Sequence, residues 1–314
     1  MSATDAVLLI AFGGPERPED VQPFLRRVTA GRPIPAERLE AVARHYDEIG
    51  GRSPLNELTR RQAAALAAAL GRAGDARPVY VGMRNWPPLL ADALAEMRAR
   101  GHRRALGIIL SPFQTEASWD RYVADVAAAR AAVGADAPEV VYAPAWSEHP
   151  GFLDAAADRV AEALTRVPAD RRAAAPLIFT AHSVPAAMAA ASPYAVQLAA
   201  AARAVAERLG RARWSVAYQS RSGAPRDPWL EPDVGDVIRA VAREGARDVV
   251  VSPIGFVCDH VEVLYDLDVE ARRAAEAAGV AFHRAAALND HPSFVAMLAD
   301  LARRGAAPDG SRPA

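Results

Sequence analysis

Short apolar runs alternate with longer amphipathic segments along almost the whole chain. The apolar runs predict strands over 6–12, 78–83, 105–111, 139–144, 175–182, 214–220 and 280–285, with another that begins at 249. The amphipathic segments predict helices over 18–28, 35–48, 57–71, 88–100, 118–133, 150–166, 192–209, 233–243 and 291–304, with another that begins near His260. Strands that alternate with helices of this length favour parallel sheets covered on both faces.

The second half of the chain repeats the plan of the first. We therefore predict the α/β class, with two Rossmann-like domains, each a parallel four-stranded sheet flanked by helices. A chain of 314 residues is long enough for two domains of ordinary size. Open α/β sheets bind ligands at the carboxyl ends of their strands, so we expect a cleft between the domains at that level.

The stretch VVVSPIGFVCDHVEVLYDLDVE, residues 249–270, carries the strongest candidate chemistry. A helix that begins near His260 places Glu262, Asp266 and Glu270 on one face, because each step of four residues turns an α-helix by only about 40°. Like charges at this spacing cost a helix a few tenths of a kcal/mol per pair, so stability alone does not favour the row. A solvated helix face is the alternative. The row starts at the end of a buried strand, and this position favours a ligand site.

Two further residues follow predicted strands. His182 comes directly after the apolar run PLIFTA, so it emerges at the same level as the acidic row. A lone histidine at a strand end is structural about as often as it is functional. A histidine and a carboxylate at the same level of one sheet favour a catalytic role. Trp229 lies in a long loop after the strand over 214–220. The tryptophan either covers the local core or offers a flat surface to a planar ligand.

Composition and absent motifs exclude several classes of function. A net charge of −1 gives no electrostatic case for binding nucleic acid, and a small-molecule partner is expected. The spacings GxGxxG, GxxxxGK[ST], HExxH and CxxC do not occur, so neither a nucleotide site nor a structural zinc site is indicated. The single cysteine, Cys258, allows no intrachain disulfide and no four-cysteine cluster, which fits a reducing cytoplasm. The first apolar run is too short for a signal peptide or a transmembrane segment.

Four segments resemble the successive signature segments of the ferrochelatases, in the order of that family. They are HYDEIGGRSPLNELTRRQ (45–62), FTAHSVP (179–185), AYQSRSGAPRDPWLEP (217–232) and SPIGFVCDHVEVLYDLDVE (252–270). The resemblance implies insertion of Fe2+ into a porphyrin in haem biosynthesis, with iron as a substrate and no organic cofactor. It implies a porphyrin cleft between an N-terminal domain, 1–146 plus a returning helix at 290–306, and a C-terminal domain, 147–289. A cytoplasmic monomer is expected.

The same resemblance implies roles for individual residues. His182 takes the place of the family's invariant histidine, and Glu262 takes that of its catalytic glutamate. Asp266 and Glu270 match the acidic row on the family's π-bulged helix, so His182, Glu262, Asp266 and Glu270 are the predicted contacts to the metal. We expect the porphyrin to contact Phe12, Arg32, Tyr46, Arg52, Ser53, Ser118, Tyr122 and Trp229. We interpret His182 as the base that takes the pyrrole protons.

The segments AFGGPERPEDVQPFL and TAGRPIPAERL are more similar to the coproporphyrin-using branch of the family. Coproporphyrin III has four propionates where protoporphyrin IX has two, and cations at the cleft mouth would favour it; the candidates are Arg26, Arg27, Arg32, Arg52 and Arg121. Phe12 stands where several coproporphyrin enzymes carry a tyrosine, so no phenolate ligand is expected there. Asn85 stands where many members carry a histidine or tyrosine, so a metal-handling role is not favoured at that position. The cysteine-bearing extension of some members does not occur, so no iron–sulfur cluster is expected.

Three alternatives remain open at this point. The chain could be a ferrochelatase that uses protoporphyrin IX, or a chelatase that inserts cobalt into a related tetrapyrrole. The third alternative is a haem- or porphyrin-binding carrier without catalytic activity. A carrier would need His182 as an axial ligand but would have no use for the acidic row.

Overall fold

The apolar runs form two parallel four-stranded sheets in the computed structural model, which describes residues 4–31, 34–222 and 226–306. The first sheet contains β1 (Ala6–Ala11), β2 (Val79–Met83), β3 (Arg104–Ile109) and β4 (Glu139–Tyr142), in the order β2-β1-β3-β4. The second contains β5 (Leu177–His182), β6 (Trp214–Gln219), β7 (Asp248–Ser252) and β8 (Ala281–Arg284), in the order β6-β5-β7-β8. The strand order is the same in both sheets, and the predicted α/β class is confirmed.

The described chain divides into two units, one around each sheet. The first unit comprises 4–111, 116–145 and 290–306, and the second comprises 112–115 and 146–289. In the first unit, β1 is buried along its whole length because it lies inside the sheet with helices packed against it. The core of the second unit gathers residues from all four strands and from four helical segments, among them Ile178, Val249 and Ile238.

The helices lie close to their predicted positions. Those that precede or flank the first sheet are α1 (Val21–Val28), α2 (Ala36–Glu48), α3 (Leu55–Arg72), α4 (Leu90–Ala99) and α5 (Arg121–Val133). The second unit contains α6 (Pro150–Thr165), α7 (Ala186–Ala190), α8 (Tyr194–Arg208), α9 (Val234–Arg243), α10 (Val261–Tyr265) and α11 (Arg272–Ala277). The last described helix, α12 (Pro292–Arg304), belongs to the first unit and packs on α3. No helix in the described ranges is long and apolar enough to cross a membrane.

Three helical details differ from the predicted pattern. A 3-10 turn over Pro18–Asp20 precedes α1, and a π turn over Glu116–Asp120 precedes α5. The short helix α7 was not predicted, because its alanine-rich sequence follows Pro185 and carries no clear apolar stripe. Each detail occupies less than two turns, where hydrophobic periodicity gives little information.

The helix predicted near His260 is interrupted. A π turn over Asp266–Ala271 separates α10 from α11, in agreement with the π bulge that the resemblance implies. Val263, Leu267 and Ala271 are almost fully buried on the face toward the sheet. Burial of a side chain the size of valine or leucine stabilises the fold by about 1.5 to 3 kcal/mol, so this apolar stripe fixes which face the segment turns away from the core.

Candidate active site

The carboxyl ends of β5 and β6 carry the centre of the candidate site. His182 is the last residue of β5 and pairs in register with Gln219, the last residue of β6. The loop after β7 packs closely against this edge, because Gly255 N donates a hydrogen bond to Thr180 O at 3.0 Å. A Cβ at Gly255 would lie 2.5 Å from the Cβ of Ala181, so only glycine allows this approach.

His182 and Glu262 form a pair at this edge. The Nε2 atom of His182 lies 3.6 Å from Oε1 of Glu262, and the two side chains keep 29% and 40% of their surface exposed. Nδ1 of His182 is hydrogen-bonded to the carbonyl oxygen of Ser183. Because a carbonyl oxygen can only accept, Nδ1 carries a hydrogen in the neutral ring and Nε2 carries the free lone pair. The atom of His182 that can take a proton therefore faces Glu262.

Each member of the pair shifts the pKa of the other. Burial lowers the pKa of His182, but the negative charge of Glu262 and hydrogen bonds to Glu262 and Ser183 outweigh it, so the pKa is raised overall. Burial also raises the pKa of Glu262, and the positive charge of His182 outweighs that effect and brings the pKa below its usual range. Glu262 is therefore ionised at neutral pH and stabilises a proton on His182.

Two neighbouring side chains position the start of α10. His260 caps the helix, with its Nδ1 accepting a hydrogen bond from Glu262 N at 3.2 Å. Burial lowers the pKa of His260, so this ring stays neutral while it acts as the cap. The side-chain amide of Gln219 donates to the carbonyl oxygen of Glu262. The backbone of Glu262 is thus held by one residue from its own helix start and one from β6.

Asp266 lies four residues after Glu262 and is hydrogen-bonded to Ser220. The hydroxyl of Ser220 donates to Oδ2 of Asp266, and Ser220 adopts a left-handed backbone conformation with φ of 63°. Burial raises the pKa of Asp266 to about 8, with the charges of Glu262 and Glu270 acting in the same direction and the Ser220 hydrogen bond opposing them. Asp266 is therefore mostly protonated at pH 7. Non-glycine residues with positive φ occur at few positions in proteins and are enriched at functional sites.

The π turn straightens the acidic row. In an α-helix a step of four residues passes a full turn, whereas in a π turn the wider i→i+5 bonding makes the same step fall short of one. The step from Glu262 to Asp266 follows α10, and the step from Asp266 to Glu270 lies within the π turn. The first step therefore passes a full turn and the second falls short of one. The two offsets partly cancel, so this geometry brings the three carboxylates closer to one line along the helix than a continuous α-helix would. Glu270, at the far end, is exposed.

Trp229 is tied to the chain beside His182. It forms an antiparallel bridge with Pro185, and on either side Ala186 N donates to Pro228 O and Leu230 N donates to Val184 O, both at 2.9 Å. The Ser183 hydroxyl adds a hydrogen bond to Leu230 O at 2.8 Å. The tryptophan is half-buried, and its contact with a planar ligand stays a prediction.

The first unit carries its own group of predicted contacts at the carboxyl ends of β1 and β2. The guanidinium of Arg84 lies 4.4 Å from the centre of the Tyr122 ring and 5.9 Å from that of Phe12, and its Nε pairs with Asp125. Phe12 is 39% exposed, whereas Tyr122 is buried. The side-chain amide of Asn85 donates a hydrogen bond to Phe12 O at 3.2 Å. In this structure it supports the Phe12 turn.

The other predicted porphyrin contacts differ in accessibility. Tyr46 is 2% exposed and packs edge to face on Phe24, and Ser53 is 5% exposed with its hydroxyl accepting from Leu55 N at 3.3 Å. Arg26, Arg27 and Arg52 are exposed, and Ser118 is half-buried. Arg121 is paired with Glu116 at 3.0 Å, so its charge is partly neutralised. Arg32 lies outside the described residues.

Within the described ranges, no group of three or more histidine, cysteine, aspartate or glutamate side chains is arranged to hold a metal ion. The geometry brings His182, Glu262 and Asp266 together through β5, β6 and α10, and leaves the assignment of metal contacts as a prediction. Sequence patterns did not reveal Gln219 and Ser220 as supports for the acidic residues. Their position at the end of a strand beside that of His182 was the available signal.

Comparison with known proteins gives the family. Residues 4–306 match the family model described as Ferrochelatase. The chain belongs to the ferrochelatase family. The chain is 47% identical to the coproporphyrin III ferrochelatase of Mycolicibacterium smegmatis over 300 residues. This alignment covers 95% of this chain and 88% of that protein. The chain is 49% identical over 300 residues to that of Mycobacterium avium, with 95% and 87% covered, and 47% identical over 309 residues to that of Nocardia farcinica, with 96% and 88% covered.

Solved structures show the same fold. SirB from Bacillus subtilis with Fe3+ aligns with a TM-score of 0.60 at 10% identity, over 96% of this chain and 95% of that one. DR2241 from Deinococcus radiodurans, a multi-domain protein with structural similarity to chelatases, aligns with a TM-score of 0.56 at 16% identity, over 98% of this chain and 56% of that one. At these identities the likeness is evidence for the chelatase fold alone. Family membership makes this protein a metal chelatase, as predicted from the four signature segments.

Proposed function

We propose that this ferrochelatase inserts Fe2+ into coproporphyrin III, giving Fe-coproporphyrin in haem biosynthesis. The observation that carries the proposal is the His182–Glu262 pair, which presents a proton-accepting Nε2 atom beside an ionised carboxylate. The relatives at 47% to 49% identity are coproporphyrin III ferrochelatases, and they support the choice of this porphyrin. Fe2+ and coproporphyrin III are then the two substrates.

The reaction replaces two pyrrole N–H protons with one divalent ion, so the charge of the macrocycle does not change. In the proposed mechanism, Nε2 of His182 accepts the two pyrrole protons in turn, releasing the first to solvent before it takes the second, and Glu262 stabilises the imidazolium that forms each time. The raised pKa of His182 makes it a stronger base than free histidine. Glu270, and Asp266 once it has released its proton, are proposed to replace water around the arriving iron, since carboxylate oxygens suit a hard divalent cation.

The porphyrin itself is proposed to contact Phe12, Ser53, Ser118, Tyr122 and Trp229. Flat ligands of this kind need apolar and aromatic walls with a few polar groups for the propionates. The proposal includes no organic cofactor and no iron–sulfur cluster. A monomer in the cytoplasm is also proposed.

An insertion assay tests the function directly. Purified protein is supplied with Fe2+ or Co2+ and with coproporphyrin III, protoporphyrin IX or sirohydrochlorin, and the metallated product is followed by absorbance. We expect Fe2+ and coproporphyrin III to give the highest kcat/KM. A preference for protoporphyrin would change the substrate, a preference for Co2+ and sirohydrochlorin would change the reaction, and tight porphyrin binding without insertion would indicate a carrier.

A further inference from the structure

Arg284, the last residue of β8, binds two carboxylates. One precedes Glu262, the first residue of the acidic row, in the sequence, and the other follows it. Its NH1 donates to Oδ1 of Asp259 at 2.8 Å, and its Nε donates to Oδ1 of Asp268 at 2.8 Å. Asp259 directly precedes the helix cap His260, and Asp268 lies inside the π turn. The arginine side chain is 15% exposed, and those of Asp259 and Asp268 are 14% and 28% exposed. Both ion pairs are thus largely shielded from water.

The Asp259 end of this bridge is fixed by further hydrogen bonds. Asp259 N donates to Oδ1 of Asn289 at 3.0 Å, and Nδ2 of Asn289 returns a hydrogen bond to Oδ2 of Asp259 at 2.8 Å. Asn289 N also donates to Val257 O at 2.8 Å. Both carboxylate oxygens of Asp259 therefore have partners, and the turn before α10 is attached to the chain that follows β8.

The Asp268 end acts on the π turn. A π turn is rare in helices and persists only where surrounding contacts hold it. On the core side, Leu267 and Ala271 are buried, but apolar packing also tolerates an α-helical path with a small rotation. Arg284, at the end of β8, supplies an ion pair to Asp268 from outside the helix. This contact specifies the position of one residue within the turn.

We infer that Arg284 is a positioning residue for the acidic row, an inference that rests on the proposed function of that row. The guanidinium of Arg284 binds both Asp259, before the helix cap, and Asp268, within the π turn. It therefore restrains the backbone path between these two residues. If the turn relaxed to an α-helix, each step of four would pass a full turn again. Asp266 and Glu270 would rotate away from the line of Glu262, and iron would meet a different arrangement of carboxylates.

The experiment compares Arg284→Lys and Arg284→Gln with Arg272→Gln as the matched control. Arg272 lies in α11, and its NH2 is 3.6 Å from the same Asp268 oxygen, but its side chain is 43% exposed and reaches no residue before α10 among the hydrogen bonds and ion pairs of the described chain. The control therefore removes a charge near Asp268, together with the hydrogen bond from Arg272 Nε to Asp268 O, without removing the bridge. Arg284→Gln with Asp268→Asn removes both charges of the Arg284–Asp268 pair, and serves if the single glutamine variant does not fold.

Two measurements are made on each variant. The first is hydrogen exchange of the amides over 261–271, which reports on the turn without any assay of activity. We expect loss of the bridge to reduce protection there by about tenfold or more, with little change in β5 and β7. The second is steady-state insertion, in which we expect KM for Fe2+ to rise about tenfold while KM for the porphyrin stays within about twofold. Arg284→Lys should give an intermediate rise, and Arg272→Gln should match the wild type in both measurements.

Normal exchange and a normal KM for Fe2+ in the Arg284 variants would overturn the inference. A lower melting temperature with unchanged exchange over 261–271 and unchanged KM for Fe2+ would also overturn it, because the bridge would then serve stability alone. If the wild-type protein inserts no iron, the proposed function fails. The exchange experiment would still decide whether Arg284 holds the π turn.

Discussion

His182 has one ring nitrogen committed to structure and one available for chemistry. The hydrogen bond from Nδ1 to Ser183 O sets the tautomer, and the Tyr194 hydroxyl donates to His182 O at 2.8 Å, which holds the backbone of the same residue. The ring thus presents Nε2 in one orientation. A catalytic base that is already oriented avoids the free-energy cost of ordering during the reaction.

We predict that His182→Ala and Glu262→Gln each abolish metal insertion. Affinity for the porphyrin should stay within about tenfold of the wild type, because binding energy comes mainly from the buried face of the macrocycle. Insertion assays and porphyrin fluorescence titrations check both parts. Near-normal turnover in either variant would remove that residue from the mechanism, and equal loss of binding and turnover would point to a folding defect.

The pKa of His182 provides a test that does not depend on turnover. NMR titration should give the wild-type ring a pKa above the ordinary value of about 6.5, and Glu262→Gln should lower it, because the charge that favours the imidazolium is gone. A raised histidine pKa stabilises the fold fully below about pH 6.5, and this contribution is lost as the pH rises through the folded-state pKa. The variant should therefore lose stability mainly on the acid side. An unchanged pKa would mean that the pair does not interact.

At the scale of the element, the α10–π–α11 segment combines a buried apolar stripe with an aligned carboxylate row. We predict that Asp266→Asn with Glu270→Gln raises KM for Fe2+ with a smaller effect on KM for the porphyrin, because the amides keep the shape but remove the charge of Glu270 and the charge that Asp266 gains when it ionises. Since the pKa of Asp266 is about 8, the wild-type KM for Fe2+ should fall as the pH rises toward that value. The double variant should lose this pH dependence. An unchanged iron dependence would make the row an ordinary solvated helix face.

The elements themselves could be predicted from sequence far better than the contacts between them. β-branched runs such as Val249–Val251 identify buried strands directly, and their ends differ little from prediction because turn residues follow them. Periodicity could not distinguish the π turn from an α-helix, since both place Leu267 and Ala271 toward the core. The Arg284 bridge joins residues from different elements, and no spacing rule indicates such a pairing.

In the candidate site, too, sequence predicts individual residues better than the contacts between them. His182 and Glu262 could be predicted because each stands beside a strand end and matches a family segment, and the structure places their side chains within 3.6 Å. Arg121 is a candidate cation for the cleft mouth by sequence, but it pairs with Glu116 across a π turn that the pattern does not show. Tyr46 was predicted as a contact, and its burial against Phe24 follows from packing that sequence does not specify.

At the scale of the whole molecule, charge decides between the candidate porphyrins. We predict that kcat/KM is higher for coproporphyrin III than for protoporphyrin IX in detergent-free buffer, and that the difference shrinks at high salt. Arg26, Arg27 and Arg52 are exposed cations that could meet the additional propionates. Replacing all three with glutamine should reduce the salt dependence. Preference for protoporphyrin at low salt would contradict the substrate assignment while leaving the chelatase activity intact.

The order in which the units are completed differs from the order in which they are synthesised. Helix α12 packs on α3 and is attached to the first unit by the Arg61–Asp290 ion pair at 2.6 Å and by Arg77 NH2, which donates to Ala302 O at 2.8 Å. The ribosome makes α12 only after every described residue of the second unit. Until α12 has been synthesised, the face of α3 that packs against α12 is therefore uncovered in the nascent first unit. We expect ribosome-bound chains to become protease-resistant first in their later-made half, and the earlier-made half to follow only once α12 has left the exit tunnel.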